Sequence, residues 1–166
     1  GGNGAPTCWA SGDATDEFVP LLRRLFRHRV TRLDSAQDYD APGAWDELYG
    51  QTLGLADELG LKVGQAGDWH RGKDGRTLYV GSRKSPGFLR LYEKGKEQIG
   101  KAPDERAAAL VSPDWVRLEV VVRPQKEARQ VAAGISPEGA LGFAAWTQEL
   151  GRRLLGLNVE RVVMRS

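Results

Sequence analysis

Tyr92 stands in the string Leu89-Arg-Leu-Tyr-Glu-Lys-Gly95, with Arg90 two residues before it and Lys94 two after. Residues two apart in a strand share a face, so both cations would border the phenol. Nearby positive charge favours phenolate, the nucleophilic form of tyrosine. Asp34 and Glu119 lie in two other strand-like strings. Carboxylates from separate strands offer hard oxygen ligands, which suit Mg²⁺ or Mn²⁺. A tyrosine nucleophile, a divalent ion and flanking cations together suit attack on a phosphodiester such as that of DNA. The metal polarises the phosphate while the phenolate forms a covalent phosphotyrosine bond. Such a bond conserves the energy needed to rejoin the strand.

Strands and helices must bring these residues together. Asp16 to Phe26 has apolar residues at helical spacing, with Thr15 as N-cap. Val30 to Tyr39 reads as a strand stopped by Asp40-Ala-Pro-Gly43, and Trp45 to Leu59 as a helix closed by Gly60. Leu61 to Ala66 is a further strand, and Gly67 to Gly75 a polar loop or hairpin tip holding Trp69 and His70. Arg76–Arg83 and Phe88–Lys94 form two strands joined by Lys84-Ser-Pro-Gly87. Glu93 to Leu110 is a helix or a loop with one helical turn. Trp115–Arg123 is the clearest strand, closed by Pro124. Lys126–Ala133 and Pro137–Leu155 read as helices, and Val159–Met164 as a last strand or a tail. Consecutive strands with short turns predict an α+β domain, a mostly antiparallel central sheet with helices packed on one face.

Each strand then divides into an apolar and a polar set. Leu89 and Leu91 oppose Arg90, Tyr92 and Lys94; Val116, Leu118, Val120 and Val122 oppose Arg117, Glu119, Val121 and Arg123. Arg32, Asp34 and Asp38 form the polar set of the first strand. In one sheet, Asp34, Glu119, Tyr92, Lys94, Arg90 and Arg117 converge on the uncovered face. Asp34 and Asp38 are roughly 13 Å apart along an extended strand, too far to share one ion. Asp34 is therefore the expected ligand, and Asp38 is assigned to the turn at Asp40. Charge follows a similar division. Asp34 to Asp68 holds eight acidic side chains and one basic, whereas Arg71 to Lys101 holds nine basic and three acidic. The second stretch reads as a surface for an anionic polymer, set against the plainer reading of two solvated faces.

The strings Arg29-Val-Thr-Arg-Leu-Asp-Ser-Ala-Gln-Asp38, Gly75-Arg-Thr-Leu-Tyr-Val-Gly-Ser-Arg-Lys-Ser85, Leu89–Gly95 and Trp115–Arg123 occur in an order that resembles the replication initiation factor family. This family includes rolling-circle replication initiators of plasmids and filamentous phages and is related to conjugative relaxases. The resemblance implies a rolling-circle DNA replication initiator: a metal-dependent, site-specific nicking endonuclease on a fold related to the His-hydrophobe-His endonucleases. It implies a covalent 5′-phosphotyrosine intermediate at Tyr92, with Lys94 stabilising the phenolate or the scissile phosphate. Asp34 and Glu119 match the acidic positions and become metal ligands. No His-x-His pair occurs, so His70 is the further candidate ligand. Arg83 and Lys84 would touch phosphate, and Arg32, Arg90 and Arg117 join them as DNA-binding residues. Tyr79 is the rival nucleophile, with a plain sheet tyrosine as its other reading. A conjugative relaxase and a non-catalytic DNA-binding domain of the same fold are the alternatives.

A chain of 166 residues with 40% hydrophobic and 28% charged residues fits one nicking domain over 1–166 with a sizeable core. Residues 1–14 read as a flexible tail or a cloning remnant. No apolar run is long enough to span a membrane. The lone Cys8 can form no internal disulfide, which favours the cytoplasm. Expected partners are DNA, as an origin hairpin or single strand, a second copy of the chain, and a host helicase. Trp45 and Trp146 read as core, Trp115 as a sheet-edge plug, and Trp69 as core or a base-stacking platform.

Overall fold

The computed structural model describes residues 6–162. Its elements in chain order are α1 (Ala14–Leu25), β1 (Leu33–Asp40), α2 (Ala44–Glu58), β2 (Val63–Gly67), β3 (Arg76–Val80), β4 (Gly87–Tyr92), α3 (Lys94–Ile99), α4 (Pro103–Val111), β5 (Trp115–Val122), α5 (Ala128–Ala132) and α6 (Ala145–Leu154). A 3₁₀ turn over Gly139–Phe143 precedes α6. The five strands form one sheet in the order β1-β5-β4-β3-β2, every neighbouring pair antiparallel. The expected α+β class is the observed one.

The β-branched run of β5 places it between β1 and β4, where both backbone edges are paired and the inward side chains are fully buried. Leu78, Val80, Leu89, Leu91, Val116, Leu118, Val120 and Val122 line one face of the sheet. Trp45, Leu48 and Leu55 of α2, Leu150 of α6, and Ala140 and Leu141 of the 3₁₀ turn pack against them. The two edge strands β1 and β2 are joined by α2. At 1.5 Å per residue its fifteen residues span about 22 Å, enough to cross four inter-strand spacings of ~4.8 Å. The opposite face gathers Asp34 and Asp38 of β1, Arg117 and Glu119 of β5, Arg90 and Tyr92 of β4, and Thr77 and Tyr79 of β3, beside the buried Phe88 and Val121.

Several segments depart from the sequence reading, beginning with β1, which starts at Leu33 and not at Val30. Lys94 leaves the sheet, because Glu93 turns back: its carboxylate accepts the Arg76 backbone N–H at 2.8 Å and the Lys96 ammonium at 2.9 Å. The chain then forms two helices, interrupted between Gly100 and Ala102, with Pro103 opening the second. The helix expected over Pro137–Leu155 is likewise broken after Phe143, where the Thr147 hydroxyl donates to the Leu141 carbonyl at 2.6 Å. The last described residues make no strand. Val159 and Val162 are instead held by Gln148 and by the Gly142 carbonyl, while Val163 and Met164 lie outside the described residues. Gly1 and Gly2 of the expected tail also lie outside them.

Candidate active site

Strand register sets the uncovered face in rows. Asp38, Arg117, Tyr92 and Thr77 face one another across β1, β5, β4 and β3. Ala36, Glu119, Arg90 and Tyr79 form the next row, and Asp34, Val121 and Phe88 the third. Tyr92, Arg90, Arg117 and Glu119 therefore meet as the alternation implied. Lys94, although in α3, keeps its ammonium 5.5 Å from the centre of the Tyr92 ring, and the Arg90 guanidinium lies 5.3 Å from it. A cleft of about 240 Å³ opens here, lined by both Tyr92 and Tyr79 and bordered by Arg90, Thr77, Glu93 and Glu97.

Glu119 is the centre of the cluster. It is buried, and its two oxygens have different partners: Oε1 accepts Arg90 Nη2 at 2.6 Å, and Oε2 accepts the Tyr92 hydroxyl at 3.4 Å. Burial, followed by the negative charge of Glu119, pushes the Tyr92 phenol far up from its ordinary value. Arg117 and Arg90 pull it down by less. The sequence expectation that surrounding cations make Tyr92 a phenolate is therefore corrected: desolvation of the charged form outweighs them. Tyr92 is a neutral phenol with a carboxylate placed to receive its proton. Burial also lowers the Arg90 guanidinium, but Glu119, Tyr92 and Asp34 more than offset it and hold it above its usual value. Its Nε atom is buried with no protein acceptor.

Asp38 does not cap the turn at Asp40. Arg117, directly opposite Tyr92, donates to Asp38 through Nε at 2.7 Å and Nη2 at 2.8 Å, a bidentate pair. Burial pushes the Asp38 carboxyl up, yet the Arg117 hydrogen bonds and charge, with Trp115, leave it below the usual range. The same pair raises Arg117. Strand alternation placed both residues on this face; their mutual pairing needs the β1–β5 register, which no local motif encodes.

The other expected residues lie farther out. Asp34 sits diagonally across the β1–β5 ladder from Glu119 and is held bidentately by Arg32 at 2.8 and 2.6 Å. His70 is exposed on the loop between β2 and β3. Asp34, Glu119 and His70 do not form one group. Among the described residues no three His, Cys, Asp or Glu side chains do. The expected ligands left on this face are thus two carboxylates, Asp34 held by Arg32 and Glu119 held by Arg90, beside Asp38 held by Arg117. That set fits Mg²⁺ or Mn²⁺, which keep several waters and take one or two carboxylates with substrate phosphate completing the shell. Arg83 stacks over the Tyr79 ring at 5.0 Å, and Tyr79 on Phe88 at 5.5 Å between centroids, while Lys84 is exposed in the β3–β4 turn. Trp69 is no open platform: it packs against Trp45 and Tyr49, and its Nε1 donates to the Ala66 carbonyl.

The family model described as replication initiation factor matches residues 28–142. No match is found among curated protein sequences. Among solved structures, the chain is similar to a rolling circle replication initiator protein from Geobacillus stearothermophilus, at 20% identity and a TM-score of 0.48. That similarity covers 81% of this chain and 49% of the other, so this chain spans about half the length of that protein. With more than half of its residues matched by the family model, the chain belongs to the replication initiation factor family.

Proposed function

We propose that the chain is the nicking domain of a rolling-circle replication initiator and cleaves one DNA strand with Tyr92. The observation that carries this reading is the buried Tyr92–Glu119 hydrogen bond beside a cleft that Tyr92 lines with Arg76 and Arg90. Tyr92 Oη attacks the phosphorus and forms the O–P bond, and its proton passes to Glu119 Oε2. The P–O3′ bond breaks with its electron pair on O3′, which takes a proton from water, leaving a free 3′-hydroxyl and a 5′-phosphotyrosine. Lys94 and Arg90 border the ring and face the charge that builds on the phosphate. The unpaired Arg90 Nε is a ready donor for a phosphate oxygen. Arg117, fixed by Asp38, holds positive charge beside the developing phenolate. Asp34 and Glu119 Oε1, on exchanging their Arg32 and Arg90 contacts, are the carboxylate oxygens that would hold a divalent ion, and His70 is left out. Such an ion supplies Lewis-acid polarisation of the phosphate.

The test is a denaturing gel of the protein mixed with single-stranded oligonucleotides tiled across its own replicon, with Mn²⁺ or with EDTA. A band shifted by the mass of the DNA is expected with Mn²⁺, lost with EDTA and lost in Tyr92→Phe. An adduct that survives Tyr92→Phe and disappears in Tyr79→Phe would move the nucleophile to the other tyrosine of the cleft. No adduct on any strand of the replicon would favour a DNA-binding domain without turnover.

A further inference from the structure

The cations around Tyr92 are largely neutralised. Arg76, Arg90, Lys94, Lys96 and Arg117 each have a carboxylate within 4 Å. At the other end of the sheet, beyond the Leu33–Val122 pair, the situation is reversed. Residues 18–33 hold five arginines and no acid, and residues 123–135 hold Arg123, Lys126 and Arg129 against the single Glu127. Among the described residues Arg27, Arg29, Arg123, Lys126 and Arg129 pair with no carboxylate.

These residues are tied into one surface by backbone contacts. Arg29 donates to the Lys126 carbonyl at 3.4 Å, Val30 N–H to the Arg129 carbonyl at 2.9 Å, and Arg123 to the Arg83 carbonyl at 3.3 Å. Arg83 in turn stacks on Tyr79, a wall of the cleft. Lys126 is held at φ +47°, the only left-handed residue other than glycine among those described. At the far end of this track lies a groove lined by Arg23, Phe26, Arg27, His28 and Gln130. Phe26, just past the end of α1, is 63% exposed there, and Arg23 ties the helix to the Ala133 and Ile135 carbonyls. An aromatic ring left open on an anchored element, beside unpaired arginines, is the composition of a base-stacking platform with phosphate contacts.

We infer that this groove binds single-stranded DNA flanking the cleavage position, with a base stacked on Phe26 and the backbone tracked by Arg27, Arg29, Lys126 and Arg123. It rests on the nicking reading for the identity of the ligand, and its position is separate from that site. Five residues of β4 divide the Tyr92 row from the Gly87 row, roughly 17 Å of strand. The family match begins at His28, so Phe26 and Arg27 lie outside it. Single-stranded DNA is favoured over a protein partner because the groove is cationic and its arginines, bonded only to backbone carbonyls, keep their charge unneutralised by any carboxylate among the described residues. It is favoured over duplex because a duplex offers its phosphates but no open base to the ring.

The experiment is fluorescence anisotropy of labelled oligothymidylate on the full chain, in EDTA so that no strand is cut. Phe26→Ala is expected to weaken binding about tenfold, and Phe26→Trp to restore it. Arg27→Gln with Lys126→Gln is expected to flatten the slope of log affinity against log salt by about 0.7 per cation removed. Because all three side chains are exposed, melting curves should remain those of the unaltered chain. Unchanged affinity in Phe26→Ala, or an unchanged salt slope in the double variant, would overturn the inference. So would binding of a duplex of the same length that depends equally on Phe26. Phe26-dependent binding without any covalent adduct on replicon DNA would keep the groove and remove the nicking reading.

Discussion

Burial first, and then the charge of Glu119, keep Tyr92 a neutral phenol. A carboxylate beside a buried phenol raises the energy of the phenolate and gives the proton a destination. Tyr92 is therefore not expected to ionise near pH 10, where an exposed tyrosine does. An ultraviolet pH titration of Tyr92→Phe should match that of the unaltered chain up to that pH; a phenolate step missing from the variant would show an ordinary Tyr92. Glu119→Gln keeps the size of the side chain but removes the proton acceptor. It is expected to slow adduct formation by about 10² or more, read from timed gel samples at fixed pH. A variant as fast as the parent would take Glu119 out of proton transfer. Sequence alternation alone brought Tyr92, Arg90, Arg117 and Glu119 onto one face, since period two needs no knowledge of the partner strand. It could not anticipate that Glu119 would be buried against Tyr92, because burial depends on which residues stand in the neighbouring strands.

At the scale of elements, β5 carries both sides of the molecule: its even residues from Val116 to Val122 form the core, and Arg117 and Glu119 the site. Leu118→Ala opens a cavity directly behind Glu119 and is expected to cost roughly 3 kcal/mol in a chemical denaturation curve. A loss below 1 kcal/mol would mean that the sheet can close the gap. The β2–β3 hairpin has a stricter requirement. A Cβ on Gly67, which has φ +88°, would lie 2.2 Å from the Gly75 carbonyl oxygen. The strands were legible from β-branched runs and turn residues, and their antiparallel order from short connections. The ends of β4 and of the long C-terminal helix were not. Glu93 leaves the strand to satisfy Arg76, and the Thr147 hydroxyl donates to the Leu141 carbonyl across the break after Phe143. Both are tertiary hydrogen bonds without a local pattern.

Across the whole molecule, the charge runs of the sequence do not coincide with the free charges of the surface. Much of the basic stretch from Arg71 to Lys101 is neutralised, by Glu93, Glu97 and Glu119. Arg71, Lys73, Arg83 and Lys84 of that stretch have no carboxylate partner among the described residues, and a second unpaired set comes from segments 23–29 and 123–129, far apart in sequence and joined only by folding. Burial pushes the Glu93 carboxyl up, but Arg76 and Lys96 outweigh it and set it below the ordinary range. Its contribution to stability is therefore complete above the unfolded value of about 4.3 and disappears as pH falls through the lower folded value. Melting temperature should drop over that acidic window. Glu93→Gln should be less stable by about 2 kcal/mol at neutral pH and lose less on acidification. Parallel curves for the two proteins would contradict this linkage. The central claim, that Tyr92 is the nucleophile, is tested most directly by locating the DNA on the protein. After reaction with replicon single strands in Mn²⁺, nuclease trimming and trypsin, mass spectrometry should find the residual nucleotide on the peptide Leu91–Lys94. Nucleotide found instead on Thr77–Arg83, which carries Tyr79, would contradict it.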